Sequence, residues 1–230
     1  MSPRPEDASD PAGGPDADPE EIELKLAVGE PGVIRALIRR PPVGGIAGFV
    51  PAGRPRSVTC MDRYFDTAAL NGALRLGGFR ARLREREGTL ILTLKSAASR
   101  DGAVSRRIEL EGPATTVLDP ERWPPSAARS RLKALLDGRP MVEIAALRQR
   151  RLQRDFVRDG TTVEISLDRM TALEGGRILA TRVEVEAELL SGDLALLHGL
   201  AAALEILPGV RPASSSKLAF ALAARVVASA

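Results

Sequence analysis

Glu21-Ile22-Glu23-Leu24-Lys25-Leu26-Ala27-Val28 is the stretch whose alternation decides the fold. Side chains of an extended strand point to opposite faces with a period of two, so Ile22, Leu24 and Leu26 share one face and Glu21, Glu23 and Lys25 the other. One face is apolar and the other is charged throughout. The pattern returns along the chain: Arg80, Arg82 and Arg84 align, as do Arg148 and Arg150, Glu164 and Asp168, and Glu184, Glu186 and Glu188. Ordinary half-buried sheets instead turn a mixed face of Thr, Ser, Lys and Glu to water.

Neighbouring like charges about 4 Å apart repel by roughly 4 kcal/mol at an effective dielectric near 20, so such faces need counter-ions. A sheet closed into a barrel supplies the place for them, since about eight strands leave room for side chains or one small ligand. Arginine and lysine faces suit a polyanion. Carboxylate faces suit Mg²⁺ or Mn²⁺, which take oxygen ligands and bridge phosphates. A metal-bound polyphosphate satisfies both halves.

Outward from the first strand, a helix is predicted over 31–40, started by its proline, and a Pro- and Gly-rich insertion follows at 41–55. The insertion reads as a mobile surface loop rather than as part of a tunnel mouth. Strand patterns cover 57–65, 79–86, 90–95, 104–111, 142–159, 161–170 and 178–190, with hairpin turns at Glu87-Gly88 and Asp159-Gly160. Further helices are predicted over 126–138, closed by Gly138, and over 193–206 and 215–227, the last entered through a serine run suited to N-capping. Strands and helices do not alternate regularly, which excludes a doubly wound parallel sheet. The fold class is α+β, an eight-stranded antiparallel barrel with flanking helices.

The hydrophobic fraction is 44% but aromatics are only 3%, so the core is aliphatic. The 33 Lys and Arg nearly balance the 30 Asp and Glu, and the charge is informative only locally. The single Cys60 excludes an internal disulfide and a thiolate zinc site, and the single His198, in a helical run, excludes a His-rich metal site. Residues 1–19 read as a disordered tail with no signal-peptide core, leaving 20–230 as one domain. No apolar run approaches the ~20 residues that span a bilayer, so a cytoplasmic protein without a membrane partner is expected. A nucleic-acid partner is not expected either: carboxylates oppose the basic strands and no aromatics interleave with them.

The opening Glu21-Ile22-Glu23-Leu24-Lys25 matches an ExExK signature. It is followed in order by Tyr64-Phe65-Asp66-Thr67 with Leu70, Arg80-Ala81-Arg82, Thr93-Leu94-Lys95, Arg107-Ile108-Glu109, the basic run 148–151, Glu164 to Asp168, Glu184-Val185-Glu186-Ala187-Glu188 and Ser216-Lys217. In this ordered set the chain resembles the CYTH family of triphosphate tunnel metalloenzymes. The resemblance implies a tunnel in which basic side chains grip a triphosphate and acids hold two Mg²⁺ or Mn²⁺ ions. Carried over by position, Lys25, Arg80, Arg82, Lys95, Arg107, Arg148, Arg150 and Lys217 are similar to the phosphate-binding residues. Glu21, Glu23, Asp168, Glu184, Glu186 and Glu188 look like the metal-binding acids, and Glu21, Glu23 and Lys25 like the catalytic group. The run Arg148-Gln149-Arg150-Arg151 leaves open whether Arg150 or Arg151 faces inward.

Among the activities the resemblance implies, hydrolysis of the terminal phosphate of inorganic triphosphate comes first, by a monomer or homodimer. The segment Leu189-Leu190-Ser191-Gly192-Asp193 and Ser216-Lys217 resemble the bacterial inorganic triphosphatase branch. Thiamine triphosphatase and class IV adenylyl cyclase are the rivals on the same fold; each must hold an organic ring, for which few aromatics are available. A non-catalytic polyphosphate-binding module is the remaining alternative.

Overall fold

The computed structural model describes residues 18–42, 44–68 and 72–229. Residues 1–17 of the expected tail, and Leu70 of the Tyr64-Phe65-Asp66-Thr67 motif, lie outside them. In chain order the strands are β1 (Glu20–Val28), β2 (Val50–Pro51), β3 (Arg56–Thr67), β4 (Phe79–Arg86), β5 (Thr89–Ser96), β6 (Ser99–Asp101), β7 (Val104–Pro113), β8 (Met141–Arg158), β9 (Thr161–Glu174), β10 (Arg177–Ser191) and β11 (Val210–Pro212). The α-helices are α1 (Pro31–Arg39), α2 (Ala73–Leu76), α3 (Ala127–Leu136), α4 (Leu194–Glu205) and α5 (Lys217–Ser229).

Eight antiparallel strands pair in the order β1-β10-β9-β8-β3-β4-β5-β7, and β7 returns to β1, closing a barrel. The short β2, β6 and β11 extend β8, β7 and β1. Two-residue turns set the register of the long hairpins. Glu87 and Gly88 (φ 52° and 77°) and Asp159 and Gly160 (φ 46° and 75°) lie in the left-handed region that such turns require.

The apolar core lies outside the barrel wall, beneath the helices. Leu24, Leu26, Val163, Ile165, Val185 and Ala187 face outward from β1, β9 and β10 and are buried under Ile34 and Ile38 of α1 and Leu197, Leu200 and Leu204 of α4. On the opposite flank, Ala81, Leu83, Leu92 and Leu94 of β4 and β5 are covered by Leu74 of α2, Trp123, and Leu132 and Leu136 of α3. Each buried leucine or isoleucine contributes about 1.5–3 kcal/mol relative to exposure. With both flanks sealed by apolar contacts, the opposite face of β1, β4, β5 and β10 is left largely to polar and charged residues. Helix α5 closes one end: Ala221, with Leu218 and Phe220, packs on the inward-facing Tyr64, Ala145, Leu147 and Ala172. Among the described residues no helix is long and apolar enough to cross a membrane.

The insertion at 41–55 is tied down where a mobile loop was expected. Phe49 is fully buried in the core under α1, and Val50 and Pro51 pair with Val157 and Phe156. The buried Arg154 guanidinium donates to the carbonyls of Ile38, Arg40, Ala52 and Gly53 at 2.6–3.2 Å, fixing both ends of the segment to β8. A phenylalanine among glycines was the available sequence signal.

The Asp66-Thr67 pair of the motif also has a structural task. The Asp66 carboxylate accepts from the backbone N–H groups of Thr67, Leu74 and Arg75 at 2.8–3.2 Å, and Thr67 Oγ1 accepts from Ala73 N–H at 2.9 Å, so together they satisfy the N-terminus of α2. A Cβ at Gly72 would stand 2.0 Å from Asp66 Cγ. Gly72→Ala is therefore expected to expel the carboxylate and cost about 1–3 kcal/mol. An unchanged urea midpoint would contradict this.

Candidate functional site

Residues directly opposed in an antiparallel ladder share a face, so the register identifies the lining. Glu21 opposes Arg107 and Glu23 opposes both Ser105 and Glu188, while Lys25 opposes Glu186. Around the wall, Glu184 opposes Asp168, Asp168 opposes Arg151, Asp62 opposes Arg84, Arg80 opposes Lys95, and Lys95 opposes Glu109. Most of these side chains line a cavity of about 330 Å³ whose lining is chiefly charged, with Tyr64 its one aromatic residue among those described.

Most of these charges neutralise one another. Lys95 Nζ lies 2.8 Å from Glu21 and 2.7 Å from Glu109, and Arg107 bonds both Glu21 and Glu23. On the other side Lys25, Arg151 and Lys217 reach Glu186 at 2.7, 2.8 and 2.9 Å, and Arg151 and Lys217 also reach Asp168 at 2.6 and 2.7 Å. Two cations on β4 are left short. Arg80 makes no ion pair among the described residues, its one contact being a long 3.5 Å approach to the Ser96 carbonyl. Arg82 has carboxylates only at 3.5–3.9 Å, and its buried Nε has no hydrogen-bond partner.

The field inside the barrel shifts the acids in opposite directions. Burial by itself would raise Glu186 and Glu21. Lys217, Lys25 and Arg151 hold Glu186 well below the usual carboxylate range, and Lys95 and Arg107 do the same for Glu21. Glu184 moves upward, first through burial and then through repulsion from Glu186. Glu188 is pushed up to about 7 by burial and by the charges of Glu21 and Glu109.

The structure brings Glu21, Glu23, Lys25, Arg80, Arg82, Lys95, Arg107, Glu186, Glu188 and Lys217 to one cavity. Asp168 and Glu184 stand immediately behind, fully buried. Arg148 and Arg150 do not join them. They oppose Met61 and Thr59 on the outer surface of β8, and Arg151 points inward in their place. Lining residues left off the carried-over set include Arg84, Glu109, Glu111 and Glu164, with Asp62 behind Arg84. Asp62 is completely buried and accepts two hydrogen bonds from Arg84, at 2.7 and 2.8 Å, and one from Gln149. Alternation from Tyr64 was the signal for it. His198 sits on α4, half exposed, away from the cavity.

The donor set suits divalent ions in its chemistry. Asp168, Glu184 and Glu186 converge from adjacent strands with oxygen ligands, and neither Glu184 oxygen accepts a hydrogen bond; Arg182 Nη2, 2.7 Å from Oε1, meets it only as an ion pair. The burial of this carboxylate is offset by the Arg182 cation beside it. Among the described residues no group of three or more acids is arranged to hold a metal ion, and lysine and arginine nitrogens stand between Asp168 and Glu186.

The sequence profile of the CYTH domain matches residues 20–219. No curated protein matches the chain. Among solved structures, it is similar to a protein from Hippeastrum, assigned as an adenylyl cyclase with a dominant triphosphatase activity, at 21% identity over 88% of this chain and 95% of that one, with a TM-score of 0.58. It is also similar to a protein from Bacillus halodurans assigned as an adenylate cyclase, at 16% identity over 87% of this chain and 97% of the other, with a TM-score of 0.54. At these identities the two structures support the fold.

Proposed function

The chain belongs to the CYTH family, and from that premise we propose that it is a divalent-metal-dependent triphosphatase that hydrolyses inorganic tripolyphosphate to pyrophosphate and orthophosphate. One observation carries the choice of an anionic substrate: Arg80 and Arg82 are under-paired inside a cavity where the other cations have close carboxylate partners. A phosphate chain is the counter-ion that Arg80 lacks and that Arg82 meets only at 3.5–3.9 Å. The cavity also favours a bare chain over a nucleotide or thiamine ester, because the buried Tyr64 is the one aromatic surface available to a ring.

In this proposal Arg80 and Arg82 hold the chain from β4, and Lys25, Lys95, Arg107, Arg151 and Lys217 line its path. Asp168, Glu184 and Glu186, with Glu21 and Glu23 on β1 beside β10, are the residues that would hold Mg²⁺ or Mn²⁺. Such ions, when bound, neutralise phosphate charge and acidify water. Phosphoryl transfer has a loose transition state with charge on its peripheral oxygens, so fixed guanidinium and ammonium groups can lower the barrier by position and field alone. The wall strands fix all of these groups except Lys217, which α5 carries, and the low-dielectric enclosure strengthens each contact.

The experiment is to incubate the protein with Mg²⁺ or Mn²⁺ and, separately, tripolyphosphate, pyrophosphate, ATP and thiamine triphosphate, and to identify the products. Tripolyphosphate is expected to turn over fastest, yielding orthophosphate and pyrophosphate, with loss of activity in excess EDTA. Cyclic AMP as the main product, or turnover that survives EDTA, would overturn the assignment.

A further inference from the structure

We propose that Lys217 is a resident counter-ion that occupies the carboxylate cluster in the metal-free protein and gives way to a divalent ion, so that metal and polyphosphate strengthen each other's binding. This rests on the tunnel function proposed above. The Lys217 ammonium lies 2.7 Å from Asp168 Oδ2 and 2.9 Å from Glu186 Oε2, where carboxylate oxygens of neighbouring strands converge. A divalent ion using those oxygens and the ammonium cannot both be there.

Three cations touch Glu186, and the fold distinguishes the one free to leave. Arg151 is anchored in β8, paired on both sides, and doubly bonded to Asp168 at 2.8 and 2.6 Å. Lys25 is held in β1, where its residue opposes Glu186 and its carbonyl accepts from Ala213 N–H. Lys217 is on neither ladder. It opens α5, which is seated on the barrel end by side-chain packing, and its ammonium is a point charge on a long flexible stem rather than a planar fork.

Withdrawal leaves Lys217 in the same cavity as Arg80 and Arg82, which it lines with them. An anion there attracts the ammonium as the carboxylates release it. The anion thereby vacates the Lys217 position on Asp168 Oδ2 and Glu186 Oε2. Those oxygens keep their bonds to Arg151 Nη2 and have further lone pairs for the metal, and the metal liberates a cation for the anion. By linkage the two effects are equal in free energy.

Mn²⁺ binding in anion-free buffer, followed by calorimetry and by the electron paramagnetic resonance signal of free Mn²⁺, tests the exchange. Lys217→Met and Lys217→Gln should each bind Mn²⁺ about ten- to a hundredfold tighter than wild type, and should bind tripolyphosphate more weakly in metal-free buffer. The glutamine variant keeps a polar group should the methionine variant fail to fold. Mn²⁺ affinity equal to or below that of wild type in a folded variant overturns the proposal. Adding Asp168→Asn should erase the gain; a gain that persists shows the metal is elsewhere and also overturns it. Because wild-type hydrolysis of tripolyphosphate is scored separately, tighter Mn²⁺ binding without turnover refutes only the function, and turnover with unchanged Mn²⁺ binding refutes only the exchange.

Discussion

Asp62→Asn is expected to lower the folding free energy by about 3–5 kcal/mol, the cost of removing one member of a buried ion pair. A domain of ordinary stability has about 5–15 kcal/mol in total, so the variant stands near the edge of folding. The cause is local. Asp62 has no solvent exposure, receives both bonds of the Arg84 fork at 2.7 and 2.8 Å, and has Arg82 Nη1 at 3.5 Å. Asparagine keeps the shape and one acceptor but leaves Arg84 without its carboxylate, beside an Arg82 whose remaining carboxylates stand at 3.8–3.9 Å. Burial alone would raise the Asp62 carboxyl; Arg82 and Arg84 overcome it and hold the group well below the usual aspartate range. A lowered carboxyl adds stability that is fully present above the unfolded value of about 3.9 and lost as pH falls through the folded one. The gap between wild type and variant should therefore be widest near neutral pH and shrink in acid. Urea titrations at pH 7 and pH 3.5 measure it, and a gap that widens in acid would refute the account.

Much of this network was legible in the sequence, and the part that was not has a physical reason. In β1 over 22–26, β4 over 79–84 and β10 over 183–188, one face is wholly apolar and the other wholly charged, so period-two alternation assigns those side chains. In β8 both faces mix apolar and basic residues: Ala145, Leu147, Gln149 and Arg151 point inward, while Ala146, Arg148, Arg150, Leu152 and Arg154 point outward. Hydrophobicity cannot tell those faces apart, and a shift of one residue exchanges them. The hairpin could have done so. Counting back from the two-residue turn at Asp159 and Gly160 sets Arg158 opposite Thr161 and, in unbroken register, Arg151 opposite Asp168. An inward Asp168 therefore entails an inward Arg151, and leaves Arg150 opposite the outward Arg169. The anchoring of 41–55 was less accessible, because it depends on Arg154 reaching carbonyls roughly a hundred residues away in sequence.

Glu186→Gln should lower turnover at least about a hundredfold while leaving metal-free tripolyphosphate binding intact or tighter. Glu186 is the junction of the cavity, meeting Lys25, Arg151 and Lys217 at 2.7–2.9 Å, and it stays ionised because those three cations outweigh its burial. Glutamine retains the volume and an acceptor oxygen but removes the charge that a divalent ion would require. The same change frees part of three cations, which then add to the attraction felt by an anion. Arg80→Ala makes the opposite prediction. Arg80 has no ion pair among the described residues, so its loss leaves no buried carboxylate stranded and should not weaken the fold. It removes a charge-assisted contact of about 1.5–3 kcal/mol, so anion binding should fall about ten- to a hundredfold with metal dependence unchanged. Calorimetry of tripolyphosphate without metal, and turnover across a Mg²⁺ titration, separate the two variants. If Glu186→Gln weakens metal-free anion binding as Arg80→Ala does, Glu186 is needed to hold the cations in place and is not chiefly a metal ligand. If Arg80→Ala binds tripolyphosphate as tightly as wild type, the under-paired guanidinium is not where the phosphate chain docks.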